Sequence, residues 1–135
     1  MWMGGLAPSE LRRIGRLADG WLPSFCTPDD VRAGIAEINR VAEENERSID
    51  PGHMGALVVY GDSELPPAIG ELIAQRRPDL SPSDLVATSH QALKDRIEAF
   101  VEAGASKFVA VPIAEPTDWT AELEAVAETV LPLQN

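Results

Sequence analysis

Apolar residues along this chain follow two rhythms, and the rhythms alternate. Nearly unbroken apolar runs occur at residues 1–3, 21–23, 55–60 and 108–113. Continuous rather than alternating hydrophobicity suits parallel strands covered on both faces. Between and after these runs the apolar positions recur at helical spacing. The helical stripes are Leu11, Ile14, Leu17 and Ala18; Val31, Ile35, Ile38 and Val41; Ile69, Leu72 and Ile73; Leu93, Ile97, Phe100 and Val101; and Leu123, Val126, Ala127, Val130 and Leu131. Pro8 and Pro28, the latter behind Thr27, stand where a first helical residue belongs, since proline lacks an N–H that would be unpaired there. Gly104 closes the fourth stripe as a C-cap, and Pro51-Gly52 and Gly61-Asp62 mark turns. Leu85-Val86-Ala87 is too short to assign.

Strand followed by helix, four times over, predicts an α/β fold with a parallel sheet. A complete TIM-type (β/α)8 barrel takes about 250 residues. Four units in 135 residues therefore predict a (β/α)4 half of such a barrel, with residues 1–135 forming one domain. A half-barrel leaves its inner sheet face uncovered. That face would draw on Trp2, Trp21, Leu57, Val59, Val109 and Val111, and an apolar patch of that kind is rare on a monomer. Self-association, or pairing with a separate N-terminal half, is the expected remedy; an open sheet covered by shifted helices is the plainer alternative.

Composition narrows the partners. A 44% hydrophobic content is enough for a core, and a net charge of −11 argues against binding nucleic-acid phosphates. Cys26 is the single cysteine, so neither an internal disulfide nor a C-x-x-C site is available. No apolar run approaches the ~20 residues of a membrane span, and no signal-peptide pattern opens the chain. The expectation is a cytoplasmic protein without membrane, nucleic-acid or metal partners.

The first 25 residues carry the chemistry. Between the first strand and first helix stand Gly4 and Gly5. Glycines there let the backbone approach a ligand closely, and the helix start offers unpaired N–H groups and a positive dipole end suited to phosphate. A tight turn with no ligand is the ordinary reading of a bare glycine pair.

Residues 1–25 resemble the fifth βα unit of the luciferase-like monooxygenase family. The likeness rests on Trp2, Gly4, Gly5, Leu11, Arg12, Arg13, Ala18, Asp19, Gly20, Trp21 and Pro23, and it looks most like the branch using the deazaflavin coenzyme F-420. Gly104 through Val109, with Pro112, resembles the family's eighth strand, so the likeness spans the chain as units five to eight. It implies an oxidoreductase whose cofactor phosphate, of F-420 or FMN, is cradled at Gly4, Gly5, Leu6 and Ala7; Trp21, at a strand end, either borders the cofactor's flat ring or is a core residue. It also implies that the ring-contacting N-terminal half lies outside this sequence, so that chemistry needs a completed barrel, formed as a homodimer or with a complementary half. Val111 stands where relatives often carry Arg.

No catalytic residue is assigned from sequence. His53 falls at the structural end of a strand, and His90 beside Ser89 is no catalytic geometry by adjacency. Cys26 has no activating His nearby in sequence, while Asp62, Glu64, Ser24 and Phe25 follow strand ends, where barrel chemistry gathers. The alternative to an oxidoreductase half is a non-catalytic half-barrel or assembly module that dimerises and binds no cofactor.

Overall fold

The computed structural model describes residues 1–134. The strands are β1 (Trp2–Met3), β2 (Gly20–Trp21), β3 (Gly55–Tyr60), β4 (Val86–Ala87) and β5 (Lys107–Pro112). The helices are α1 (Pro8–Leu17), α2 (Pro28–Glu44), α3 (Pro67–Arg76), α4 (Pro82–Leu85), α5 (His90–Glu102) and α6 (Trp119–Val130), with 3-10 turns at Pro51–His53 and Leu131–Leu133. The strand pairs whose register is defined are parallel, β1 with β2 and β3 with β4. The α/β class expected from the alternation is what the chain adopts.

Two compact units are present. The first comprises Met1–Leu57 with Ala99–Val109. In it β1 pairs with β2 in the register Trp2 to Gly20 and Met3 to Trp21. A parallel bridge joins Trp21 to Met54 just ahead of β3, and Leu57 N–H donates to the Pro23 carbonyl at 2.9 Å. The interior holds Ile14, Ala18, Trp21, Val31, Ile38 and Phe100, all at most 1% exposed. α2 starts on a capping box, in which Thr27 Oγ1 accepts from Asp30 N–H and Asp30 accepts from Thr27 N–H, so two otherwise orphaned donors are satisfied. Gly34 makes room for the Trp21 ring, since a Cβ there would run into it.

The second unit comprises Val58–Glu98 with Ala110 onward. Val59 and Tyr60 pair with Val86 and Ala87 of β4, and Ile113 N–H donates to the Tyr60 carbonyl at 2.8 Å. Val58, Tyr60, Ile73, Leu85, Leu93 and Ile97 fill this interior. α6 differs from the other long helices: none of its residues is fully buried.

The structure adds a strand to the four expected. Residues 86–87, left unassigned because two residues show no periodicity, form β4 and are buried by pairing with the end of β3. The inner-face residues divide. In the first unit Trp2 is 44% and Val109 42% exposed, with Leu57 half-buried. In the second, Val59 and Val111 are half-buried. Trp21 is fully buried, because its side chain points toward α2 through the gap at Gly34.

Candidate functional site

The glycine turn has the backbone that its residues demand. Gly5 sits at φ +106, a region glycine enters freely and other residues avoid. Ala7 is extended and Pro8 opens α1. The Trp21 indole N–H donates to the Gly5 carbonyl at 2.9 Å, so the strand after the helix pins the turn before it. Trp21 thus touches the turn through one hydrogen bond, while its ring is spent on the interior.

The donors of this turn are not free. Leu6 N–H donates to Glu10 Oε2 at 3.0 Å and Ala7 N–H to the same oxygen at 2.9 Å. Glu10 is the third residue of α1 and reaches back over its own helix start, the acidic half of a capping box. Ala7 has no side-chain oxygen to complete the other half. The carboxylate rests close against Gly5, in the space a Cβ there would claim. A shallow cleft of about 340 Å³ beside the turn is lined by Leu6, Pro8, Leu11, Ala33, Asp30 and Glu37 among others, with no Lys or Arg. As it stands, the turn does not fit a phosphate: the two amides that would hold one already hold an anion.

The second unit contains a cluster that no sequence spacing announced. One oxygen of Glu122, in the first turn of α6, accepts from the Tyr60 hydroxyl at 2.8 Å and lies 2.9 Å from His90 Nε2. The Tyr60 and His90 rings meet at 5.8 Å, tilted by 53°. Burial, then the bond to Glu122, pushes the Tyr60 phenol up to about 12. The hydrogen bonds from His90 and then Tyr60 hold the Glu122 carboxyl below its ordinary value. All three line a cleft of about 370 Å³ among the segments that follow β3, β4 and β5, together with Asp62, Ser63 and Glu115. Ligands of parallel α/β sheets gather at such carboxyl ends. The cluster joins a strand end, a helix start and a helix first turn, separated by 30 and 32 residues, so only the fold brings it together.

The remaining candidates fall elsewhere. His53 Nδ1 lies 2.9 Å from the Asp19 carbonyl, and its ring meets Trp2 at 5.4 Å. Cys26 is buried. Phe25 takes the left-handed φ of 51, which costs strain for a bulky residue. Glu64 is exposed. Among the described residues no group of three or more His, Cys, Asp or Glu forms a metal cluster, and no helix is long and apolar enough to cross a membrane.

No family model and no curated protein matches the sequence. Solved structures do. The chain is similar to a coenzyme F420 dependent tetrahydromethanopterin reductase from Methanopyrus kandleri, with a TM-score of 0.67 and 18% identity over 99% of this chain and 50% of that one. It is equally similar to an F420-dependent secondary alcohol dehydrogenase captured with an F420-acetone adduct, at TM-score 0.67, 17% identity, 99% of this chain and 48% of that one. An EDTA monooxygenase from Chelativorans sp. BNC1 follows at TM-score 0.62 and 12% identity, over 97% of this chain and 44% of that one. The chain therefore shares its α/β fold with these structures, and it spans about half the length of those it matches.

Proposed function

We propose that this chain is the C-terminal half, units five to eight, of a cytoplasmic luciferase-like oxidoreductase using coenzyme F-420 or FMN. The observation that carries the reading is the match of 99% of this chain to half of two F420-dependent enzymes, on top of the residue pattern around Gly4 and Gly5. Residues 1–135 act as one half-barrel. On this reading the cofactor phosphate takes the place that the Glu10 carboxylate holds at the turn of Gly4, Gly5, Leu6 and Ala7, with Trp21 supporting the turn from behind. Such cofactors supply the hydride chemistry while protein groups hold and orient them, and here the chemistry awaits a barrel completed by a second copy or an N-terminal half.

Titration of the purified chain with F-420 and with FMN, alongside light scattering for mass, tests this reading. Saturable binding that is lost when Gly4 and Gly5 are both replaced by Val, with circular dichroism unchanged, is the expected result. A folded chain that binds neither cofactor, alone or as a dimer, sinks it.

One observation favours a second reading, a non-catalytic half-barrel that assembles and binds no cofactor. The donors of the turn are already satisfied within the chain.

A further inference from the structure

An ionised carboxylate accepts hydrogen bonds at both of its oxygens. In Glu122 a single oxygen takes both protein donors, the Tyr60 hydroxyl at 2.8 Å and His90 Nε2 at 2.9 Å. The carboxyl is held below its ordinary value, so near neutrality it can only accept, and the proton of the second bond sits on Nε2. Glu122 Oε2 has no protein donor among the described residues. The side chain is only 22% exposed, and a sheltered charge is costly unless it is paired.

The surroundings decide what kind of donor fits. A cleft of about 370 Å³ is the size of a small-molecule pocket. No Lys or Arg lines it, and Asp62 and Glu115 add negative charge at exposed positions, so an anion is repelled. A neutral alcohol can donate to Oε2, but only a cation adds Coulomb attraction to the bond. Pro112, Ile113 and Pro116 supply an apolar wall.

We infer that the cleft among the segments that follow β3, β4 and β5 is a binding site for a small organic amine, whose ammonium pairs with Glu122 Oε2 while its apolar body lies along Pro112, Ile113 and Pro116. Tyr60 and His90 are positioning residues. By sharing one oxygen they fix the carboxylate and leave the other for the ligand. The glycine turn belongs to the first unit and has no part in this site.

Three probes of similar shape separate the charges: 2-phenylethylamine, 2-phenylethanol and phenylacetate, each titrated at pH 7. The readout is the ring resonances of the two histidines in isotopically labelled protein, with His53, in the first unit, as the internal control. The amine is expected to shift His90 saturably and leave His53 unmoved. The alcohol should bind at least about tenfold more weakly, as loss of a charged donor implies, and phenylacetate should not bind. Glu122→Gln keeps an oxygen for Tyr60 and His90 but removes the charge, and should cut amine affinity about tenfold or more. Asp62→Asn with Glu115→Gln, both at exposed positions, should cost no more than about fivefold. If the alcohol or phenylacetate binds as tightly as the amine, the ligand class is wrong. If no probe shifts His90 saturably, the site itself is overturned. If the double variant loses as much affinity as Glu122→Gln, the binding belongs to general acidity and not to Glu122. Amide exchange across α6 shows whether Glu122→Gln keeps its helix, and the three probes on the native chain decide the matter if it does not.

Discussion

Trp21 is fully buried, yet its one polar atom reaches the turn, donating to the Gly5 carbonyl at 2.9 Å. Replacing it with Phe keeps most of the packing and deletes that bond, at a cost of about 1 kcal/mol, with faster hydrogen exchange at Leu6 and Ala7 as the local signature. Gly34→Ala acts from the other side. It puts a methyl into the Trp21 ring, and overpacking of this kind costs about 1–3 kcal/mol, read as a lower denaturant midpoint. Tyr60 is the single tyrosine, so tyrosinate absorbance reports it alone. Its titration is expected near 12 rather than at the ordinary 10, and Glu122→Gln should lower it part of the way, because burial is the larger cause. The sign for stability follows: a phenol whose folded value is raised stabilises fully below pH 10 and loses that contribution as pH climbs toward 12. Glu122 behaves oppositely. Its folded value is depressed, so its contribution is present above the ordinary carboxylate range and is lost as pH falls through the lowered value. At this scale the sequence was legible only where neighbours in the chain decide the outcome. Gly4-Gly5 announced a turn. Glu10 did not announce its reach, because Ala7 breaks the usual capping-box pattern, and Tyr60, His90 and Glu122 share no spacing at all.

Among the elements, the long helices were legible because their apolar positions recur at helical spacing, and each of the four apolar runs overlaps a strand. β4 and α4 were not, since α4 runs straight into β4 at Leu85–Val86 with no turn signal to divide them. α6 has a clear stripe in sequence, yet Trp119 is 47% and Leu123 61% exposed, because periodicity says which residues share a face and not whether anything covers it. With no residue of α6 fully buried, the bonds from Tyr60 and His90 to Glu122 weigh heavily in holding it. Glu122→Ala should therefore speed amide exchange throughout α6. In α5, where Leu93, Ile97 and Phe100 are at most 3% exposed, exchange should stay as it was. Equal acceleration in both helices, or none in α6, removes Glu122 from that role.

For the whole molecule, what the sequence conveyed was a class of architecture and a proportion. Strand–helix alternation and 135 residues pointed to half of a barrel, and the solved structures it resembles are matched over 44–50% of their length. What it did not convey was how the uncovered apolar residues are resolved, since that depends on which side chains the backbone turns inward. Trp21 went inside; Trp2 and Val109 stayed out. A chain carrying −11 charges repels its own copies, and salt screens such repulsion over about 10 Å at 0.1 M. If copies associate through apolar surface, the mass seen by light scattering should therefore rise with ionic strength.

The interleaving of the two units has a consequence for the order of synthesis. The first unit is Met1–Leu57 completed by Ala99–Val109, and the second is interrupted by that same return. A growing chain that has reached Leu57 still lacks Phe100, Ala103 and Ala105, each buried in the finished protein. Domains made on the ribosome commonly fold as they emerge, earliest first, but here the earlier unit waits for a segment made 41 residues later, after residues 58–98 of its neighbour. Neither unit corresponds to a contiguous stretch of message. Truncation after Leu57 should yield a nascent chain that stays protease-sensitive, and protection should arrive only once β5 has cleared the exit tunnel.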